Sequence, residues 1–277
     1  MRTDVASDVI ERLEVCSLPT ARRVAAMLDQ EPDAMHEGLA LPRGWQFILL
    51  GADTPRKALR SDGFPGLGVP IPDLGLPRLM LAGRTVDYLG DIPIGATLRR
   101  SSRIEDIVEK NGPSGPMALL TVGHRLKLRD ELVLTETQTY ALLAADRGRA
   151  AAKRPEMAYT PAPGSAHRTI VPDETLLFQY SALGFNSHKI HINRQYAQEV
   201  EALPDLVVNG GLITLLMTQF VRHDLAATPS RLQTRHLAPL YCDRPLTIVA
   251  EKVGLAWQVS ALDDQGLLCA RMEVETQ

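Results

Sequence analysis

Residues 178–220 read FQYSALGFNSHKIHINRQYAQEVEALPDLVVNGGLITLLMTQF, and the fold turns on them. Asn186, His188 and His191 fall within six residues at the end of an apolar run. Further on, Gly210 and Gly211 open the most hydrophobic helix in the chain, expected over 211–225. That helix carries two adjacent apolar stripes, Leu212-Leu216-Phe220 and Ile213-Met217-Val221. A face that wide belongs inside a core, wrapped by something. Strand-like segments follow at 232–238, 246–253, 257–262 and 267–274. In the last, Leu268, Ala270, Met272 and Val274 point inward, and Cys269, Arg271 and Glu273 outward.

Upstream, residues 5–30 read as helical, with a helix start at Leu18-Pro19-Thr20. Residues 51–77 hold ten Gly or Pro residues, too many for a helix or a central strand. A loop of that length is a lid, a binding loop or disorder. Strand-like segments come next at 84–89, 96–108, 117–128 and 132–142, with hairpin turns at 112–115 and 129–131. His124 interrupts the apolar face of 117–128 and is read as a strand residue with a local hydrogen bond. Residues 145–167 shift to Ala, Arg, Pro and Gly, a linker composition. A short helix is expected over 193–202, ending before Pro204.

The two halves share a grammar: helical residues upstream, then a series of antiparallel strands. IPIGATLRRSSRIEDI in the first half and LYCDRPLTIVAEKV in the second are read as equivalent first long strands. The expected organisation is one half over 1–144, covering the site without chemistry of its own, a linker over 145–167 and a second half over 168–277 that carries the histidine motif. The fold class is α+β, two antiparallel sheets each wrapped around a central helix.

Composition narrows the function. With 277 residues, 45% hydrophobic and 23% charged, the chain has the make-up of an ordinary globular protein. A net charge of −3 offers no footprint for nucleic acid. The apolar run 206–221 is interrupted by Asn209 and Gln219 and is too short to span a bilayer. Cys16, Cys242 and Cys269 show neither metal-ligand spacing nor a disulfide framework, and the first residues have no signal-peptide core. A cytoplasmic setting is expected, with no metal.

The segment FNSHKIHINRQYA resembles the MaoC-like, (R)-specific enoyl-CoA hydratase and dehydratase family, whose fold is the hot-dog. That family carries an Asp-x-Asn-Pro-x-His signature followed by Asp, an aromatic and Ala. Here His191 matches; Asn186 stands where the signature has Asp, and His188 where it has Asn. Asn193, Tyr196 and Ala197 stand at the following positions. The Phe-Asn-x-His-x-Ile-His form after Tyr-Ser-Ala-Leu is similar to a double-hot-dog branch. That branch includes mesaconyl-C4-CoA hydratase, itaconyl-CoA hydratase and mitochondrial-type hydroxyacyl-thioester dehydratases. Its members often have Val-Val-His-Gly where this chain has Val207-Val208-Asn209-Gly210. GWQFIL, LPRLMLAGR and EKNGPSGP extend the likeness into the first half.

The resemblance implies water addition to an α,β-unsaturated acyl-CoA, itaconyl-CoA or mesaconyl-C4-CoA giving citramalyl-CoA. No cofactor is implied beyond the coenzyme A on the substrate, and a homodimer is left open. Two rivals stand beside it: a 3-hydroxyacyl-thioester dehydratase of fatty-acid synthesis, and an acyl-CoA-binding hot-dog without catalysis. A short pocket with an Arg at its blind end favours the dicarboxylate, and a wide tunnel the long-chain dehydratase.

Hydration needs a group that exchanges protons near neutrality and a stabiliser for charge on the thioester oxygen. His191 suits the first job. Asn186 has no basic lone pair and is left to orient the water, while His188 is either site lining or a supporting partner. For the second job, the amides at Gly210 and Gly211 begin a helix and meet no side chain of their own. Asn209, Leu212 and Ser181 are expected nearby. Arg78 and Arg84 of the first half are candidates for ligand contact, and Lys189 and Arg194 are surface charges that could meet a CoA phosphate or a substrate carboxylate.

Overall fold

A computed structural model describes residues 8–112, 115–144 and 158–277. Its strands are β1 Ile10–Val15, β2 Arg78–Tyr88, β3 Thr97–Gly112, β4 Gly115–Leu128 and β5 Glu131–Leu143 in the first half. In the second they are β6 Ala166–Ile170, β7 Pro229–His236, β8 Leu246–Val253, β9 Ala256–Leu262 and β10 Leu268–Thr276. The helices are α1 Leu18–Met27, α2 Glu174–Leu183, α3 Lys189–Ile192 and α4 Gly210–His223.

All ten strands form one antiparallel sheet in the order β1-β3-β4-β5-β2-β7-β10-β9-β8-β6. The first five positions, 1-3-4-5-2, repeat in the second half as 6-8-9-10-7, so each strand has a counterpart five places on. The two long strands read as equivalent, β3 and β8, hold equivalent positions. The halves are not two separate sheets: β2 and β7 zip them together edge to edge, Arg84 opposite Thr234 and Val86 opposite Leu232. Pairing the two inner edges removes what would otherwise be exposed, aggregation-prone strand rims.

The core follows from α4. Its residues from Gly211 to Val221 are all buried, both apolar stripes included. One cluster joins Leu212, Ile213, Met217 and Phe220 to Met272 and Val274 of β10 and to Val86 and Leu134 of the first half. Burying a side chain of this size contributes roughly 1.5–3 kcal/mol, so the helix is a main source of stability.

Within 5–30, Ile10–Val15 is an edge strand paired with the start of β3, and only Leu18–Met27 is helical. Ser17 caps that helix, with Pro in its first turn. The helix expected over 193–202 is a five-residue π turn, Tyr196–Val200, after the single turn of α3. Helix α2 had no clear period and went unread. Cys269 is buried rather than outward. Strand β6 begins at Ala166, inside the stretch read as a linker; residues 145–157 of that stretch, and Pro113 and Ser114 of the first hairpin turn, lie outside the described residues.

The first half departs most from a helix wrapped by a sheet. Where α4 sits in the second half, it has a five-residue 3-10 turn, Trp45–Leu49, and then the Gly/Pro-rich loop. Phe64, Leu67 and Val69 of that loop are buried against β3, β4 and β5. The guanidinium of Arg100 donates to the carbonyls of Leu49 and Gly51, and Arg12 donates to Gly68. The loop is thus a packed element, neither disordered nor detached.

Candidate active site

The polar turn of the opening stretch is built by its backbone. Helix α2 ends at Leu183, and Phe185 takes the left-handed φ of 49° that reverses the chain. The amide of Asn186 donates to Ser181 O at 2.7 Å, and its Oδ1 accepts from the amide of His188 at 3.1 Å. Asn186 therefore spends its carbonyl on holding the turn, leaving the NH2 as its free donor.

His191 donates from Nδ1 to the carbonyl of Val207 at 2.7 Å. A carbonyl only accepts, so Nδ1 carries the proton and Nε2 keeps a lone pair, the tautomer of a base. Burial pushes the imidazole down to about 3, with the neighbouring His188 adding to the effect and the Val207 bond opposing it. It is a neutral acceptor at physiological pH. The rings of His188 and His191 meet edge to face, 5.4 Å between centroids.

The Gly/Pro-rich loop reaches this turn from the first half. Asp62 O accepts from the amide of Lys189 at 2.8 Å, and Gly63 O accepts from Ser187 Oγ at 2.6 Å. Gly63, at φ +80°, is required here: a Cβ would lie 2.5 Å from Ser187 O. The carboxylate of Asp62 comes within 3.7 Å of His188 Nε2, and the ring of Phe64 lies 5.6 Å from the same imidazole. Burial lowers the pKa of His188, while Asp62 and Glu201 pull it up and Arg60 adds to the lowering.

Beside the turn opens a small cleft of about 100 Å³, with Phe47, Phe64 and Tyr180 as apolar walls and Asn186 among its lining. Arg84, His124, Gln138 and Tyr140 of the first-half strands also line it. Arg84 is 8% exposed, and its Nε lies 3.0 Å from Oε1 of the fully buried Glu136. Glu136 also accepts from Gln46 at 3.0 Å and Gln138 at 2.6 Å, and Tyr140 donates to Gln138. His124 meets Ser102 Oγ at 2.8 Å, the local hydrogen bond read for it, yet it also faces the cleft. Neither His188 nor His191 lines the cleft; Phe64 and Asn186, which do, both adjoin His188.

The start of α4 lies beside Arg84. At Gly211 a Cβ would meet Tyr180 Oη at 2.1 Å and Arg84 Nη2 at 3.4 Å; at Gly210 it would meet Leu81 at 3.1 Å. The glycines thus admit protein side chains to the helix start. Asn209 makes no side-chain cap: its Nδ2 donates to Ser181 Oγ at 3.3 Å, and its buried Oδ1 has no hydrogen-bond partner. The first amides of α4 therefore keep the unpaired donors and partial positive charge of a helix start. Leu212 is fully buried beneath them.

Of the other candidates, Arg78 is held by Glu201 at 3.0 Å across the halves. Lys189 Nζ donates to Ser61 O at 2.7 Å, pinning the loop. Arg194 faces Glu174, Asp205 and Asp243 at the surface, a structural ion cluster. Arg84 alone of the four cations lines the cleft. Asp62, Phe64, Glu136 and Gln138 went unread from sequence. The one available signal was local, an Asp-Gly turn amid the loop's prolines.

Two solved structures share the fold over nearly the whole chain. A MaoC-like dehydratase from Phytophthora capsici has a TM-score of 0.71 at 13% identity, covering 98% of this chain and 96% of its own. A Mycobacterium tuberculosis protein described as having a double hot-dog fold has a TM-score of 0.54 at 17% identity, covering 99% and 97%. The molecule is a double hot-dog. The hydroxyacyl-thioester dehydratase type 2 family matches residues 44–242, and the mesaconyl-C(4)-CoA hydratase of Chloroflexus aurantiacus is 32% identical over 95% of this chain and 92% of its own. The chain belongs to this MaoC-like family, and it is a hydratase or dehydratase of acyl thioesters, a carbon–oxygen lyase.

Proposed function

We propose that the protein adds water reversibly to a short, branched, unsaturated acyl-CoA bearing a second carboxylate, mesaconyl-C4-CoA or itaconyl-CoA, to give citramalyl-CoA. Arg84 carries this reading: a guanidinium in a cleft whose polar floor suits a carboxylate better than an alkyl chain. The likeness to a mesaconyl-C(4)-CoA hydratase supports it.

In this reaction the acyl group passes Asn186 from the cleft to reach the histidine turn, where His191 Nε2 takes a proton from water as the water oxygen bonds the β-carbon. Amides at the start of α4, Gly211 foremost, receive the negative charge on the thioester oxygen; losing one such donor costs about 3 kcal/mol of transition-state stabilisation. Asn186 orients the water through its free NH2. Coenzyme A arrives with the substrate, so no resident cofactor is needed. Three buried thiols suit a reducing compartment such as the cytoplasm.

The family match favours a second reading, dehydration of a 3-hydroxyacyl thioester of fatty-acid synthesis. Loss of enoyl absorbance on mesaconyl-C4-CoA, itaconyl-CoA and crotonyl-CoA separates the two. The proposal expects the carboxylated substrates to be preferred, and the double variant R84Q/E136Q, which removes both buried charges together, to erase that preference. Brisk hydration of crotonyl-CoA with neither dicarboxylate touched overturns the substrate and leaves the class.

A further inference from the structure

The family signature has a carboxylate at the position of Asn186, and an amide cannot exchange protons there. Its second departure, His188 in place of Asn, puts an imidazole two residues on. The loop of the other half then brings a carboxylate to that imidazole: Asp62 Oδ2 lies 3.7 Å from His188 Nε2.

This contact is built. The backbone of Asp62 is tied to Lys189 N, its neighbour Gly63 to Ser187, and Lys189 Nζ to Ser61. Its Oδ1 accepts from the amide of Phe64 at 2.9 Å, which aims Oδ2 toward His188 and Arg60. Both side chains are about nine-tenths buried, at 9% and 10% exposure. His188 in turn stands edge-on to His191.

We propose that Asp62 and His188, one from each half, together form the acid that position 186 no longer supplies. The inference rests on the hydratase reading of the site. In the hydration direction, water gives a proton to His191 Nε2 and its oxygen bonds the β-carbon. The π pair moves toward the thioester, and the α-carbon takes a proton from the imidazolium of His188. A proton then passes from His191 to His188, so that H and OH are the only net additions. Asp62 is a positioning residue: its carboxylate holds the ring and stabilises its charged form. The other charged or titratable groups facing His188 are Arg60 of the loop, Glu201, which Arg78 of β2 holds, and His191 of its own turn. The 3.7 Å separation is an ion-pair distance.

The test follows hydration of crotonyl-CoA and of mesaconyl-C4-CoA against pH by the full chain, as wild type, D62N, H188N and D62N/N186D. D62N should lower kcat roughly 10–100-fold, with KM within about twofold, and equally on both substrates. Its alkaline limb should move to lower pH, because the imidazolium has lost its counter-charge. D62N/N186D, which returns a carboxylate to the signature position, should regain part of the loss. A D62N within about twofold of wild type, or one whose activity falls with the alkaline limb unmoved, overturns the proposal. If D62N does not fold, H188N decides: a folded H188N with undiminished kcat also overturns it. Loss of the dicarboxylate preference alone, with the D62N effect intact on crotonyl-CoA, refutes the substrate and not the pair. A wild type inert on every enoyl thioester removes both.

Discussion

The two halves carry the same strand order around different contents. The second wraps β7 to β10 about a fourteen-residue apolar helix. The first has a short 3-10 turn, a Gly/Pro-rich loop and a buried polar network of Arg84, Glu136, Gln46 and Gln138. Duplication of one sheet thus leaves room for division of labour. One copy keeps the apolar core and the histidine turn, and the other trades its helix for a polar floor and a loop that reaches across.

The largest effect should come from the second half's turn. H191A is expected to lower hydration by about 10²–10⁴-fold with the fold retained, measured as loss of enoyl absorbance. Undiminished activity would remove His191 as the base and leave the turn as scaffold. Next is the first half's network. E136A leaves the buried Arg84 without a counter-charge and should destabilise by about 3–5 kcal/mol in chemical denaturation. The double change R84M/E136L should recover most of that, since it removes both charges at once. A small effect in E136A would mean that water reaches the network.

G211A tests the seam where the halves meet. The new Cβ must displace Tyr180 Oη, 2.1 Å away, at a cost of about 1–3 kcal/mol in thermal unfolding. Adding Y180F removes the hydroxyl and should return part of it.

A single imidazole's share of the pH dependence is the smallest of these effects. Burial drives His124 of the first half and His236 of the second down to about 4, and His191 to about 3, from 6.5. Between those values the unfolded chain binds more protons than the folded one. Stability is therefore complete above pH 6.5 and falls as the pH drops toward 4. Each imidazole adds a slope of about 1.4 kcal/mol per pH unit, and denaturation of H124Q against wild type isolates the first half's share.

Legibility differed between the halves for a physical reason. Helix α4 and strands β7 to β10 have strong periods, so the stripes through Leu212 and Ile213 and the inward set of Leu268, Met272 and Val274 could be read directly. Edge strand β1 has Leu13 and Val15 exposed and Arg12 half-buried, so its residues carry no apolar alternation to read. The loop at 51–77 was read as irregular, but the burial of Phe64, Leu67 and Val69 has no local signal. In the candidate site, the Asn186–His188–His191 turn stood out as residue types in a pattern, and Arg84 only as a candidate for ligand contact. Asp62 and Glu136 carried no signal of their own.

What the sequence by itself determined is local: the strand series, the wide apolar helix and the turn bearing His191, each written in a period of a few residues. Only the tertiary structure decided that Asp62 lies beside His188, that Tyr180 fills the notch at Gly211, and that Arg84 sits on Glu136 at the floor of the cleft. Those meetings join segments far apart in the chain or on neighbouring strands. The pairing of β2 with β7 and the packing of the loop bring them together, and no short-range period encodes either.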